Sequence, residues 1–133
     1  MYLHIHDNRT LKELQDDFSS EFPYLRLEFY TRRQRAGQHA SSRSLLNPYL
    51  QVITIRSQHR NGAIEINELM TVKQVEQLLT KEYHLPAEIL HYTKAGWLQT
   101  HVTDHATLKD LNEQGRSDFH QLHNVYAQAK NLM

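Results

Sequence analysis

Residues 10–29, TLKELQDDFSSEFPYLRLEF, contain the change of pattern that decides the fold class. In the first part, apolar residues recur every three or four positions, as on one face of an amphipathic helix: Leu11, Leu14, Phe18 and Phe22. After Pro23 the period changes to two, as in a strand with one buried face: Leu25, Leu27 and Phe29. The stretch therefore predicts a helix and then a strand, with Asp7 or Asn8 opening the helix.

The pattern extends in both directions from this stretch. Upstream, Leu3 and Ile5 alternate with polar residues and predict a first strand, so residues 1–31 are expected to form strand, helix and strand. Downstream, the sequence TVKQV at 71–75 echoes TLKEL at 10–14. Two helix-and-strand units packed on one sheet would explain the echo, and chance similarity of two amphipathic helices remains the alternative.

The two halves are separated by a segment without apolar periodicity. Residues 32–48 are rich in Ser and Arg and predict a long basic loop. A β-hairpin should follow, with Leu50–Ser57 and Ala63–Asn67 as its strands and Asn61-Gly62 as its tight turn. Next come a helix over residues 72–79, strands at 89–93 and 97–102, and a short helix through Leu108 and Leu111.

The last segment, residues 117–133, predicts an amphipathic C-terminal helix. Its apolar residues recur at helical spacing: Phe119, Leu122, Val125, Tyr126, Ala129 and Leu132. This face must pack either on the rest of the chain or on a partner, such as a second copy. The predicted fold is a single α+β domain over residues 1–133, with a mixed sheet covered on one face by two helices.

Three sequence features after the basic loop resemble the ubiquitin-like β-grasp family over roughly residues 50–114. They are Thr71-Val72 at the start of a helix, Leu85-Pro86-Ala87-Glu88 after it, and the run from Thr107 to Asn112. The resemblance implies a β-grasp fold for residues 49–115. The chain ends in Leu132-Met133 instead of the Gly-Gly of conjugated modifiers, so we expect no conjugation.

A second resemblance rests on a tryptophan motif in the same part of the chain. Gly96-Trp97-Leu98 with Thr100, followed by Thr103-Asp104 and Thr107-Leu108, is similar to a family of small uncharacterised bacterial proteins. That resemblance implies no activity.

Composition excludes several classes of protein. The 133 residues include no cysteine, so disulfides, thiolate metal sites and cysteine nucleophiles are excluded. No stretch is apolar enough for a membrane span, and the start lacks the pattern of a signal peptide, so we expect no membrane partner and a cytoplasmic location. The four glycines are isolated at apparent turns, which argues against a nucleotide-binding loop, and no catalytic motif or cofactor site is predicted.

Ten histidines are the one excess in the composition. His4 and His6 should lie on the same side of a strand, and His101 and His105 lie near Asp104. Imidazole is a common ligand of divalent metals, so these four histidines are candidate metal ligands. The corresponding alternative function is a histidine-based metal-binding protein or a small metal-dependent hydrolase.

The leading hypothesis is a non-catalytic binding or adaptor module for another protein. The candidate partner-binding residues lie in the basic loop, in the tryptophan motif and in the tail: Arg32, Arg33, Arg35, Trp97 and Tyr126. The basic loop could also contact phosphates, which makes nucleic-acid binding a second alternative. The formal net charge of +0 argues against it.

Overall fold

The structure is a computed structural model that describes residues 1–31, 44–100 and 105–131. It has an α+β architecture, as the sequence predicts. The strands are β1 (Tyr2–Ile5), β2 (Leu25–Phe29), β3 (Gly62–Glu65), β4 (Ala87–Thr93) and β5 (Gly96–Gln99). The helices are α1 (Leu11–Glu21), α2 (Val52–Ile55), α3 (Val72–Gln77) and α4 (Leu108–Asn131), and a π-helical turn, Leu78–Glu82, extends α3.

Within the described ranges the strands form two antiparallel sheets instead of one mixed sheet. One sheet is the pair β1–β3, in which Leu3 lies opposite Ile64. The other has the order β2–β4–β5, in which Leu27 lies opposite Ile89. Side chains from both sheets and from helices α1 to α4 join in one buried apolar cluster, which explains how two small sheets are held together.

Helices α1 and α3 begin in the same way. Thr10 accepts a hydrogen bond from the Glu13 amide, and the Glu13 side chain accepts one from the Thr10 amide. Thr71 and Gln74 form the same capping box at the start of α3. The prediction that Asp7 or Asn8 opens α1 is therefore wrong, because the reciprocal Thr10–Glu13 pair caps that helix.

The predicted hairpin of Leu50–Ser57 with Ala63–Asn67 is also wrong. Val52–Ile55 is a short helix, and β3 pairs with β1. Val52 and Arg56 are buried while Thr54 between them is exposed, whereas a strand with one buried face would cover all three. Because the hairpin does not form, the β-grasp arrangement of residues 49–115 is not confirmed.

The basic loop falls largely outside the described residues, which omit 32–43. Its described end, residues 44–48, returns to the edge of β2. The Thr31 amide donates to the Ser44 carbonyl, and the Leu46 amide donates to the Phe29 carbonyl. This end of the segment is thus held by backbone hydrogen bonds to the protein body.

The two halves of the chain follow a similar path. Helix α1 starts at Leu11 and α3 at Val72, and each is flanked by a strand on both sides. The Val52 amide donates to the Arg9 carbonyl, and the Leu108 amide donates in the same way to the Met70 carbonyl. Arg9 and Met70 each directly precede the threonine that caps a helix, so the two halves make matched backbone contacts at these points.

The C-terminal segment is one helix where the sequence predicts two. Helix α4 runs without a break from Leu108 to Asn131. It contains Gly115 as a buried residue inside the helix. No helix in the described part of the chain is both long enough and apolar enough to cross a membrane.

Candidate functional site

The first part of α4 is anchored to the protein body. Leu108 and Leu111 are buried in the core, and the Lys109 amide donates to the Glu68 carbonyl. The Asn112 side chain is also buried, and its Oδ1 accepts a hydrogen bond of 2.9 Å from the Tyr24 amide. Residues 108–115 therefore have a fixed position on the domain, since apolar burial and polar contacts both hold them.

Gly115 marks a close approach of α4 to the sheet. A Cβ atom at this position would lie 2.7 Å from the Tyr24 Cβ, which is too close for two carbon atoms. It would also lie 3.4 Å from the Tyr92 carbonyl oxygen. The absence of a side chain at residue 115 thus allows the helix to cross the strand ends and to continue outward.

An aromatic cluster lies where α4 leaves the body. The ring of Phe119 lies 5.6 Å from Tyr24 and 5.7 Å from Tyr92, measured between centroids. The ring of His123 lies 4.0 Å from Phe119, and its Nδ1 is 2.9 Å from the Phe119 carbonyl oxygen. The cluster fixes the direction of the helix beyond residue 119, because edge and tilted ring contacts restrict the rings.

Beyond this cluster, the helix is exposed on all sides. Every residue from 121 to 130 is exposed, although apolar residues continue at helical spacing. Leu122 is 44% exposed, Val125 is 63% exposed and Tyr126 is 76% exposed. We call this row, with Ala129, the distal stripe. It continues the helix face on which Leu111 is buried and Phe119 is half-buried, so the same face is covered near the body and uncovered further out.

A shallow groove runs along one side of the distal stripe. Its volume is about 420 Å³, and it lies between the β4–β5 turn and α4. The groove is lined by Lys94, Gln121, Leu122, Asn124, Val125 and Gln128. The lining combines apolar side chains, amides and one lysine.

Of the predicted partner-binding residues, Tyr126 lies on the distal stripe. Trp97 is half-buried, and the Arg26 guanidinium carbon lies 4.3 Å from its ring centroid. The Trp97 ring also lies 5.6 Å from that of Tyr92. Trp97 thus packs beside the aromatic cluster and not on the stripe. The predicted basic-loop residues Arg32, Arg33 and Arg35 lie outside the described residues.

The candidate metal ligands that the structure describes do not form a metal site. His4 on β1 and His6 directly after it are both exposed, with ring centroids 6.4 Å apart. His105 is exposed shortly before α4, and His101 lies outside the described residues. Over residues 1–31, 44–100 and 105–131, no group of three His, Cys, Asp or Glu side chains is placed to hold a metal ion.

One charged cluster was not predicted from the sequence. Arg56 has a fully buried side chain, and its guanidinium lies 2.9 Å from an Asp7 carboxylate oxygen. It also donates to the carbonyl oxygens of Arg60 and Tyr83. His59 lies 3.0 Å from the other Asp7 oxygen. The cluster joins the end of β1 to the segment after α2, and the sequence interpretation missed it because it assigned Leu50–Ser57 to a strand.

The pKa of the Asp7 carboxyl depends on two opposing effects in this charged cluster. Loss of solvent raises the pKa of the Asp7 carboxyl, but hydrogen bonds from Arg56 and His59 and their charges outweigh that effect. The net pKa lies below the ordinary value of 3.8. Asp7 therefore favours its ionised form in the folded chain.

Two carboxylates face each other across the β2–β4 ladder. Glu28 lies directly opposite Glu88, which is buried. Burial raises the pKa of Glu28, and the neighbouring Arg26 guanidinium offsets part of that shift. The Gln15 amide approaches the Glu28 carboxylate at 3.4 Å. Glu28 and Glu88 do not line the groove beside the distal stripe, so they give no support to catalysis in that groove.

His91 on β4 lies close to the base of α4. Burial lowers the pKa of its imidazole below 6.5, and the charge of Asp118 on α4 offsets part of the effect. The neutral ring is therefore favoured where the helix leaves the sheet.

No protein-family model, curated protein or solved structure matches this chain. Function is therefore inferred from the geometry of the chain itself.

Proposed function

We propose that this chain is a non-catalytic protein-interaction module that docks through the distal stripe of α4. The observation that supports it is the contrast along one helix face, which is covered as far as Phe119 and exposed beyond it. Leucine, valine and tyrosine side chains in a contiguous exposed row are typical of a surface that a partner covers. The aromatic cluster and Gly115 hold the helix in place, so the stripe is presented in a fixed direction.

The partner class follows from the chemistry of this surface. From residue 119 to residue 129 the helix contains no Asp, Glu, Lys or Arg. Among the described residues, Lys94 is the one cation that lines the groove beside the stripe, which is few for a phosphate backbone, whereas an apolar helix or groove of another protein would match the row of Leu122, Val125 and Tyr126. A polypeptide partner therefore fits the stripe better than a nucleic acid.

The test compares partner capture by the native chain with capture by the double variant Val125→Asp/Tyr126→Asp. The matched control is Leu69→Asp, because Leu69 is 64% exposed, close to the 63% of Val125, and lies in the segment before α3. Captured proteins are quantified after cross-linking at graded concentrations. We expect the native chain and the control to capture a partner protein with saturable binding. The double variant should fail to capture it. Equal capture by all three chains would contradict the proposal.

A further inference from the structure

Another pocket, which we call the polar pocket, lies between the end of α1, the segment before α3 and the first turns of α4. Its volume is about 180 Å³. The Lys109 amide donates to the Glu68 carbonyl and so holds two of these segments together. Besides Phe22, one amide residue and five charged residues line the polar pocket: Asn112, Glu21, Glu68, Lys109, Glu113 and Arg116.

The charged side chains of the polar pocket do not neutralise one another. Over residues 1–31, 44–100 and 105–131, no ion pair joins any of the five to another charged group. On α1, by contrast, Lys12 pairs with Asp16, and the same spacing would allow Lys109 to pair with Glu113 on α4. The polar pocket therefore offers three carboxylates and two cations to a bound molecule.

Asn112 gives the polar pocket a hydrogen-bond donor in a fixed position. Asn112 is 8% exposed, and its Oδ1 accepts from the Tyr24 amide, which sets the orientation of the side-chain amide. Its Nδ2 has no acceptor in the part of the chain that the structure describes. Arg116 lies one helical turn further along the same face of α4, with its guanidinium carbon 6.0 Å from the Tyr24 ring centroid. The Nδ2 group is thus left for an acceptor on a ligand, because a shielded donor without a partner is costly.

The chemistry of these groups defines the ligand that fits the polar pocket. The two cations and the Asn112 amide suit a carboxylate, and the three glutamates suit ammonium groups. Three carboxylates against two cations leave the pocket with a net charge of −1, which a ligand of charge +1 balances. Its volume equals the share of about six water molecules in the liquid, so the ligand is of the size of a single amino acid.

We propose that the polar pocket binds a free basic amino acid such as lysine. The α-carboxylate of this ligand lies against Lys109, Arg116 and Asn112, and its two ammonium groups lie against the glutamates. The polar pocket shares no lining residue with the groove beside the distal stripe, so the inference goes beyond the proposed function and is independent of it. For about ten non-hydrogen atoms in an open pocket, we expect a Kd on the order of 1 mM.

The first arm of the test titrates the full chain with lysine and follows its amide signals by NMR. The Asn112 side-chain amide and the backbone amides of residues 109–116 should shift along one saturable curve. Two matched ligands are norleucine, which lacks the side-chain ammonium, and Nα-acetyllysine, whose α-ammonium is blocked as in a peptide. Each should bind about tenfold more weakly than lysine. Equal binding of either analogue, or no saturable shift with lysine well above the expected Kd, would overturn the proposal.

The second arm compares charges in the polar pocket with matched charges outside it. Lys109→Gln and Glu113→Gln should each weaken lysine binding about tenfold, because each removes one charged contact. The controls are Lys130→Gln, on the same helix, and Glu65→Gln, on β3, which should bind lysine as the native chain does. All four side chains are exposed, so the fold should be retained in every variant. Equal lysine binding by the four variants would overturn the assignment of the site.

Discussion

Arg56 shows how a single residue can connect distant parts of this chain. Its side chain is fully buried and contacts Asp7 as well as two backbone carbonyls, Arg60 and Tyr83. A buried guanidinium is stable only when its donors and its charge are satisfied, and these partners supply both. By contrast, the ion pair of Arg60 with Glu82 is more than half exposed, so it should contribute about 1 kcal/mol or less.

At the residue scale, we predict a specific pH dependence for Asp7. Its pKa is lower in the folded chain than the ordinary value of 3.8, so the folded state binds a proton less readily than the unfolded state. The stability that ionised Asp7 contributes should be fully present above pH 3.8. It should disappear as the pH falls through the lower folded pKa.

The measurement is the free energy of unfolding of the native chain and of Asp7→Asn between pH 7 and pH 2. The difference between the two chains should be constant at neutral pH and should shrink toward zero in acid. Asp16→Asn is the control, since Asp16 is exposed and pairs with Lys12 on the surface of α1. If the difference for Asp7→Asn persisted unchanged at pH 2, ionisation of Asp7 would not be its source.

At the scale of the elements, the hydrophobic period predicted the helices and strands that bury one face. It predicted a helix through Leu11, Leu14 and Phe18 and a strand at Leu25–Phe29, and both are confirmed, although α1 starts later than predicted. The tail helix with its apolar row was also predicted, and α4 contains it. These segments were predictable because each is long enough for its period to be read without knowledge of its neighbours.

The segments that were not predicted depend on contacts between distant residues. Asn61-Gly62 suggested a hairpin turn, but β3 pairs with β1, at the far N-terminal end of the chain. The run Val52–Ile55 is rich in β-branched residues and still forms a helix, because its first amides bond to the carbonyls of Arg9 and Asp7. Local propensity was overridden there by tertiary contacts.

Gly115 supplies a prediction at the element scale. Gly115→Ala would gain about 1 kcal/mol of helix propensity, but its Cβ would meet the Tyr24 Cβ at 2.7 Å. Overpacking of this kind costs about 1–3 kcal/mol, so we expect a net loss of about 1 kcal/mol. Chemical denaturation of the native chain and of Gly115→Ala measures this difference in the free energy of unfolding.

The matched control for this prediction is Ser117→Ala, which lies nearby on the same helix and is exposed. That variant gains helix propensity without a clash, so it should be neutral or slightly stabilising. A Gly115→Ala chain as stable as Ser117→Ala would show that α4 does not cross the sheet as closely as described.

For the whole molecule, the similar path of the two halves gives the position of the proposed interaction surface. The helix start at Val52 and the helix start at Leu108 receive equivalent backbone contacts in the two halves. In the first half the helix stops after 4 residues, whereas in the second it runs for 24. The extra length of α4 carries the distal stripe, so the surface is a feature of the second unit alone.

The sequence could indicate the stripe but not its exposure. Helical spacing identified Phe119, Leu122 and Tyr126 as one face, and packing on the chain's own core was an open alternative. The length of α4 beyond the body leaves residues 121–130 exposed, and that length depends on Gly115, which the sequence interpretation assigned to a turn. Apolar residues spaced on both sides of Gly115, at Leu111 and Phe119, were the signal of a continuous helix.

Amide hydrogen exchange is the direct test of the proposal that residues 121–130 are a docking surface. The exchange of peptides from α4 is followed in dilute protein, in concentrated protein and with a saturating captured partner. We predict that residues 108–115 are protected throughout and that residues 121–130 gain protection in at least one of the two associated states. Unchanged exchange of residues 121–130 in both associated states would contradict it.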